Sequence, residues 1–202
     1  MKRANRPVEG FTLIELMVTV TLIAILAMLA APAMSTWVKN SQLRATSEAL
    51  QNGLRMAQAE ALRRSRQTVF SLTNDASPQT SLTAVTNGRF WSINTVELIG
   101  PGSGPATGDS AAFIEAGVLG SEGEGVQING PASICFSSLG RLVVNAAPGV
   151  AGSDCTAANI PAQYELTLTG ADRRLRVTVA VGGQVRMCDR DKTLSASHPD
   201  GC

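Results

Sequence analysis

Ionisable and aromatic chemistry is scarce in this chain. Of 202 residues, one is histidine, one tyrosine and two are tryptophan, and the formal net charge is only +1. His198 sits in a polar tail between Ser197 and Pro199 and reads as a solvated loop residue. With one histidine and no Cys-x-x-Cys, a zinc site is a poor fit. The stretch 100–110 is rich in Gly, Pro and Ser, but no Gly-Lys-Ser/Thr follows it, so it does not cradle a nucleotide phosphate. Ser137-Ser138 lacks the Gly-x-Ser-x-Gly frame of a nucleophile elbow. The acids are scattered, and no pair stands out as general acid and base. These absences argue against an enzyme, and call for no cofactor and no metal. Near-neutral charge also excludes a protein coated with positive charge for nucleic acid.

What the chain does have is a long apolar run near its start. Lys2, Arg3 and Arg6 precede Gly10-Phe11-Thr12-Leu13-Ile14-Glu15, and from Phe11 to Ala33 the only charge is Glu15. A run of this length crosses a hydrocarbon core of roughly 30 Å as a helix. Basic residues ahead of it hold the N-terminus in the cytoplasm, so the rest of the chain is expected outside. A cleavable secretory signal is the alternative, but Pro32 is awkward within Ala31-Pro32-Ala33, and an acid is out of place in a short apolar signal core. A carboxylate inside a membrane helix costs about 2.5–3.5 kcal/mol and normally has a partner or a function. The bland alternative is a lone acid neutralised by protonation in lipid.

Gly10-Phe11 with Glu15, behind a short basic leader, resembles the class III signal of type IV prepilins. Pro32 also falls where that family often carries a proline. The resemblance implies that a prepilin peptidase cuts after Gly10 and methylates the new N-terminal Phe11. It further implies that the freed amine pairs with Glu15 of a neighbouring subunit in a helical filament. The expected organisation is a leader over 1–10, a transmembrane and assembly helix over 11–33, its amphipathic continuation over 34–66, and a β-rich head over 67–202. The first ten residues hold three bases and Glu9, which leaves the processed chain near −1.

Downstream, Leu43, Ala45, Ala49, Leu50, Leu54, Ala57, Ala61 and Leu62 recur at intervals of three and four, the period of an amphipathic helix. Pro32 predicts a bend within that helix rather than its end, and Gly53 is a weak point costing about 1 kcal/mol against Ala. Strand-like runs follow at 67–73, 89–98, 112–119, 125–129, 132–136, 141–145, 164–169, 173–181 and 184–188. Ser137–Gly140 and Gly182-Gly183 read as hairpin turns. A helix followed by strands predicts an α+β fold with an antiparallel sheet laid on the helix.

All four cysteines lie in the half expected to be exported, which fits disulfides in an oxidising periplasm. Four cysteines allow three pairings. Cys135 with Cys155 and Cys188 with Cys202 would close the short local loops.

Beyond the N-terminus the chain is similar to FimU- and FimT-type minor pilins and the GspH pseudopilin. The likeness is carried by Arg173-Arg174-Leu175-Arg176-Val177 and by Gly183-Gln184-Val185-Arg186-Met187-Cys188. It implies a minor pilin that helps initiate or cap a type IV pilus, supporting twitching motility and adhesion. The partners would be the major pilin, other minor pilins and the inner membrane, with a place in the pilus after assembly. Two other readings remain: a type II secretion pseudopilin, and a DNA-binding minor pilin for transformation. The DNA reading would use Arg173, Arg174, Arg176, Arg186, Arg190 and Lys192. Relatives often carry Gly-Arg-x-Arg where this chain has Gly183-Gln184-Val185-Arg186, and Asp172, Asp189 and Asp191 dilute the positive field. Arg174 and Arg176 on one face of a strand also suit an ordinary solvated sheet.

Overall fold

The structure is a computed structural model describing residues 11–79, 82–98, 109–119 and 125–202, with the side chains of 29–33 left aside. Gly10, the expected leader and most of the loop 100–110 lie outside the described residues. Contacts divide the chain into two compact units, Met1–Val38 and Lys39–Cys202. A helix α1, Leu13–Arg64, runs through both and is unbroken at Pro32 and Gly53. The α+β class expected from the sequence is the class observed.

Among the described residues nine strands follow: β1 (Thr68–Thr73), β2 (Phe90–Thr95), β3 (Phe113–Val118), β4 (Val126–Asn129), β5 (Ser133–Phe136), β6 (Leu142–Val143), β7 (Ala162–Leu168), β8 (Leu175–Val179) and β9 (Val185–Asp189). They form two antiparallel sheets, ordered β3-β2-β1-β5-β6 and β4-β7-β8-β9. The β5–β6 and β8–β9 hairpins turn where the sequence placed them. Gly183 supplies the left-handed conformation, φ +89°, that the second turn requires. The run 141–145 shrinks to two paired residues, because Asn145 leaves β6 to bridge Cys155.

In the second unit, Leu43, Leu50, Leu54, Ala57 and Ala61 of α1 are fully buried. The helical stripe differs from the spacing read in sequence. Ala45 and Leu62 are exposed, whereas Thr46 and Ser47 are buried. Both hydroxyls donate back to carbonyls one turn earlier, Gln42 and Leu43, at 3.1 and 2.8 Å. Each polar group brings its own acceptor, so burying it leaves no orphan. The stripe meets Phe70, Leu72, Ile93, Ile134 and Phe136 of the first sheet and Tyr164, Leu166, Val177 and Val179 of the second, forming one core.

The far face of the first sheet is covered too. Val69 and Cys135 pack there with Leu82, Val96, Val150 and Cys155 in a second, smaller core. Beside it, Ser71 lies opposite both Ser92 and Ser133. All three are buried, so the polar alternation of β1 does not mark a wet face.

Candidate functional sites

The first site is the start of α1. Thr12 stands just before the first helical residue, and its Oγ1 accepts from the Glu15 amide at 3.3 Å. Its carbonyl accepts from Leu16 N at 3.2 Å. Thr12 is therefore the N-cap and Glu15 the third helical residue, a spacing that places an acid where the helix dipole favours negative charge. The Thr-x-x-Glu pattern is the sequence signal that marks this cap. Phe11 lies four residues before Glu15 and is 84% exposed.

Every described apolar side chain from Phe11 to Met28 is exposed, all round the helix. An apolar surface of this extent, with Glu15 as its one charge, is of the kind that marks an interaction site. Among the described residues no helix is long and apolar enough to cross a membrane. The continuously described part of this run stops at Met28, short of the Ala33 to which the sequence extends it.

The second site is the basic end of the β7–β8–β9 sheet. Leu175, Val177 and Val179 point into the core, and Arg176 takes the other face, where it donates to Glu165 Oε1 at 2.6 Å. Arg190 pairs with the same carboxylate at 2.9 Å. Arg174 binds Asp191 through Nε at 2.9 Å, and the two shift each other: the Arg174 guanidinium holds the Asp191 carboxyl below its ordinary range. Arg173 is 3.8 Å from Asp172, and Arg186 donates to the carbonyls of Pro199 and Gly201. Lys192 pairs with Asp200 at 2.6 Å and with Asp189 at 3.6 Å. Every arginine singled out in the sequence thus lies near an internal acceptor, and the acids that seemed to interrupt the basic run are its partners.

Cys135 is bonded to Cys155 and Cys188 to Cys202. The first bond ties the covering loop to β5. The second ties the tail to β9, where Asp189 N donates to Asp200 O at 2.7 Å and Cys202 N to Asp189 O at 3.1 Å.

Among the described residues no group of His, Cys, Asp and Glu gathers as a metal site. Among the described residues, a cleft of about 370 Å³ between Thr46, Asn74, Asn87, Arg89 and Gln127 brings together no nucleophile and base.

Residues 5–31 match the family described as the prokaryotic N-terminal methylation motif. The match bears out the resemblance of the N-terminal stretch to type IV prepilins. Among solved structures, the chain is similar to the type IV minor pilin FimU of Pseudomonas aeruginosa PAO1 in two crystal forms. Identity is 14% in both, covering 75% and 71% of this chain and 91% and 90% of that one, with TM-scores of 0.47 and 0.44. It is also similar to the minor pseudopilin EpsH of the type 2 secretion system of Vibrio cholerae, at 13% identity, 73% and 97% coverage and TM-score 0.42. No curated protein sequence matches the chain.

Proposed function

We propose that this protein is a minor, FimU-like subunit of a type IV pilus that helps initiate or cap the filament. A prepilin peptidase cuts after Gly10 and methylates Phe11. The apolar part of α1, over 11–33, holds the subunit in the inner membrane until it joins the filament, and residues 67–202 form the exported head that meets the major pilin and other minor pilins.

The observation that carries this reading is the capped acid, Glu15, at the mouth of a helix otherwise free of charge to Val38, inside a matched methylation motif. Cleavage after Gly10 would put a free amine one helical turn from that carboxylate. Neither charge is tolerated alone in an apolar medium. Only a neighbour staggered so that its amine meets Glu15 hides both, which makes the pair a register device.

The test is replacement of Gly10 by Leu, which is expected to leave a precursor that starts at Met1. A normally trimmed and methylated Phe11 in that variant would overturn the processing step. Glu15→Ala is expected to leave cleavage intact and to remove the subunit from sheared filaments; unchanged incorporation would overturn the pairing. A deletion strain scored for pili, secretion and DNA uptake separates the roles. Loss of pili supports this reading, whereas normal pili with lost secretion would assign a pseudopilin. The DNA-binding reading is less well supported, because Arg174, Arg176, Arg190 and Lys192 are engaged by carboxylates.

A further inference from the structure

Lys39 is the first charge after Glu15, so it stands where the apolar run of α1 gives way to the polar half. In the second unit its ammonium lies over Gly170, where a Cβ would overlap it. The next residue, Asn40, accepts at Oδ1 from the backbone of Asp172 at 3.2 Å. The β7–β8 turn is thereby fixed beside Lys39 and Asn40 of the helix. The same turn opens a groove of about 490 Å³ whose polar lining is Thr167, Thr169, Asp172, Arg173, Arg174 and Asp191.

The groove itself balances two arginines against two aspartates, but charge is unevenly placed around the turn as a whole. Lys39, Arg173, Arg174, Arg176 and Arg190 face three carboxylates, those of Glu165, Asp172 and Asp191. Glu165 is shared between two arginines, and Arg173 reaches its carboxylate only at 3.8 Å. Lys39 has no ion pair among the described residues. Among these eight groups of the corner positive charge exceeds negative by two, while Lys192 beyond them is held by Asp189 and Asp200.

We propose that this corner seats the head on the anionic phospholipid surface of the membrane, with Lys39 and Arg173 reaching lipid phosphates before the subunit enters a filament. The proposal rests on the reading that 11–33 spans the membrane, because sequence adjacency then places Lys39 at the headgroup level on the exported side. Basic residues just outside an apolar span are drawn to that level, and their attraction fades within a Debye length. A lipid surface fits better than DNA, which would need a basic stripe rather than a surplus of two charges at one end.

The experiment uses the full-length protein in vesicles of phosphatidylcholine, with or without phosphatidylglycerol, read by amide hydrogen exchange over 169–174. Flotation with pure phosphatidylcholine vesicles reports insertion by itself; failure to float would overturn the membrane reading and this proposal with it. Given flotation, phosphatidylglycerol is expected to slow exchange in the turn by about fivefold for each cation engaged. The protection should vanish in Lys39→Gln/Arg173→Gln and, in the unaltered protein, at high salt. Equal exchange in both vesicles would overturn the proposal while leaving insertion intact. Equivalent protection by inorganic phosphate, or by a DNA duplex added without anionic lipid, would overturn it in favour of a free anion or nucleic acid.

Discussion

The indole of Trp91 lies against the backbone of α1 at Gly53, where a Cβ would stand 3.0 Å from Cδ2 and Cε2 and 3.1 Å from Phe70 Cε2. Trp91 also packs on its cross-strand partner Gly117, whose Cβ position is 2.5 Å from Cζ2. Two glycines thus make the slot for the one tryptophan that fastens β2 and β3 to the helix. What reads in sequence as a weak point in α1 is where the sheet's indole packs on the helix backbone.

Gly53→Ala therefore sets two effects against each other. Helix propensity gains about 1 kcal/mol, while overpacking a close contact costs about 1–3 kcal/mol. The expected outcome is a net loss of about 1 kcal/mol, a fall in Tm of roughly 2–4 °C. Gly182→Ala is the control, since nothing lies within 4 Å of its Cβ position, and Tm should hardly change. A rise in Tm for Gly53→Ala would show that the indole yields.

Tyr164 is fully buried at the centre of the second sheet, and its hydroxyl has no hydrogen-bond partner among the described residues. Burial pushes its pKa up and keeps it neutral. An orphaned buried hydroxyl costs about 1–3 kcal/mol, so Tyr164→Phe should match or exceed the parent in stability. Chemical denaturation checks this, and a loss above about 1 kcal/mol would reveal a partner for the hydroxyl.

The two disulfides should respond differently to mild reductant. Cys135 and Cys155 are buried in the second core, whereas Cys202 is exposed. Alkylation after partial reduction is expected to label Cys188 and Cys202 first and to quicken exchange over 189–202 without melting the main core. Replacing Cys135 and Cys155 together by Ala should cost about 3 kcal/mol, as for closure of a comparable loop. Labelling in the opposite order would mean that the covering loop opens more readily than the tail.

Glu60 on α1 bonds Arg63 at 2.6 Å and Arg64 at 2.8 Å, and these guanidiniums, Arg63 foremost, lower its pKa from 4.5 to about 2. A carboxyl whose folded pKa is depressed stabilises the fold above its unfolded pKa and loses that contribution as pH falls towards the folded value. Solvent screening at a helix surface limits the gain to about 0.5–1 kcal/mol. Glu60→Gln should thus lower stability at pH 7 by about that amount, and the difference from the parent should close between pH 4.5 and 2. A difference independent of pH would assign the loss to packing.

Local chemistry made much of this legible. The Gly-Gly turn, the Ser137–Gly140 turn and the core-facing alternation of Leu175, Val177 and Val179 follow from short-range backbone and burial rules. So does the start of α1 at Thr12, since an N-cap and its acid lie three residues apart. The basic residues of β8 and the tail looked like a candidate ligand surface because their carboxylate partners are distant along the chain: Glu165 is 11 residues before Arg176 and Asp191 is 17 after Arg174. Charge counted along a sequence does not disclose which charges cancel in space.

The sequence by itself determined the apolar first half of the helix with its one acid, the methylation motif, and the order of helix before strands, because each depends on residues within a few turns of one another. Only the tertiary structure decided that the strands part into two sheets, that Ser71, Ser92 and Ser133 are buried, that Gly53 receives Trp91, and that Lys39 lies over Gly170. Those relationships join positions tens to more than a hundred residues apart. Their energies come from packing and pairing across elements, which no local pattern encodes.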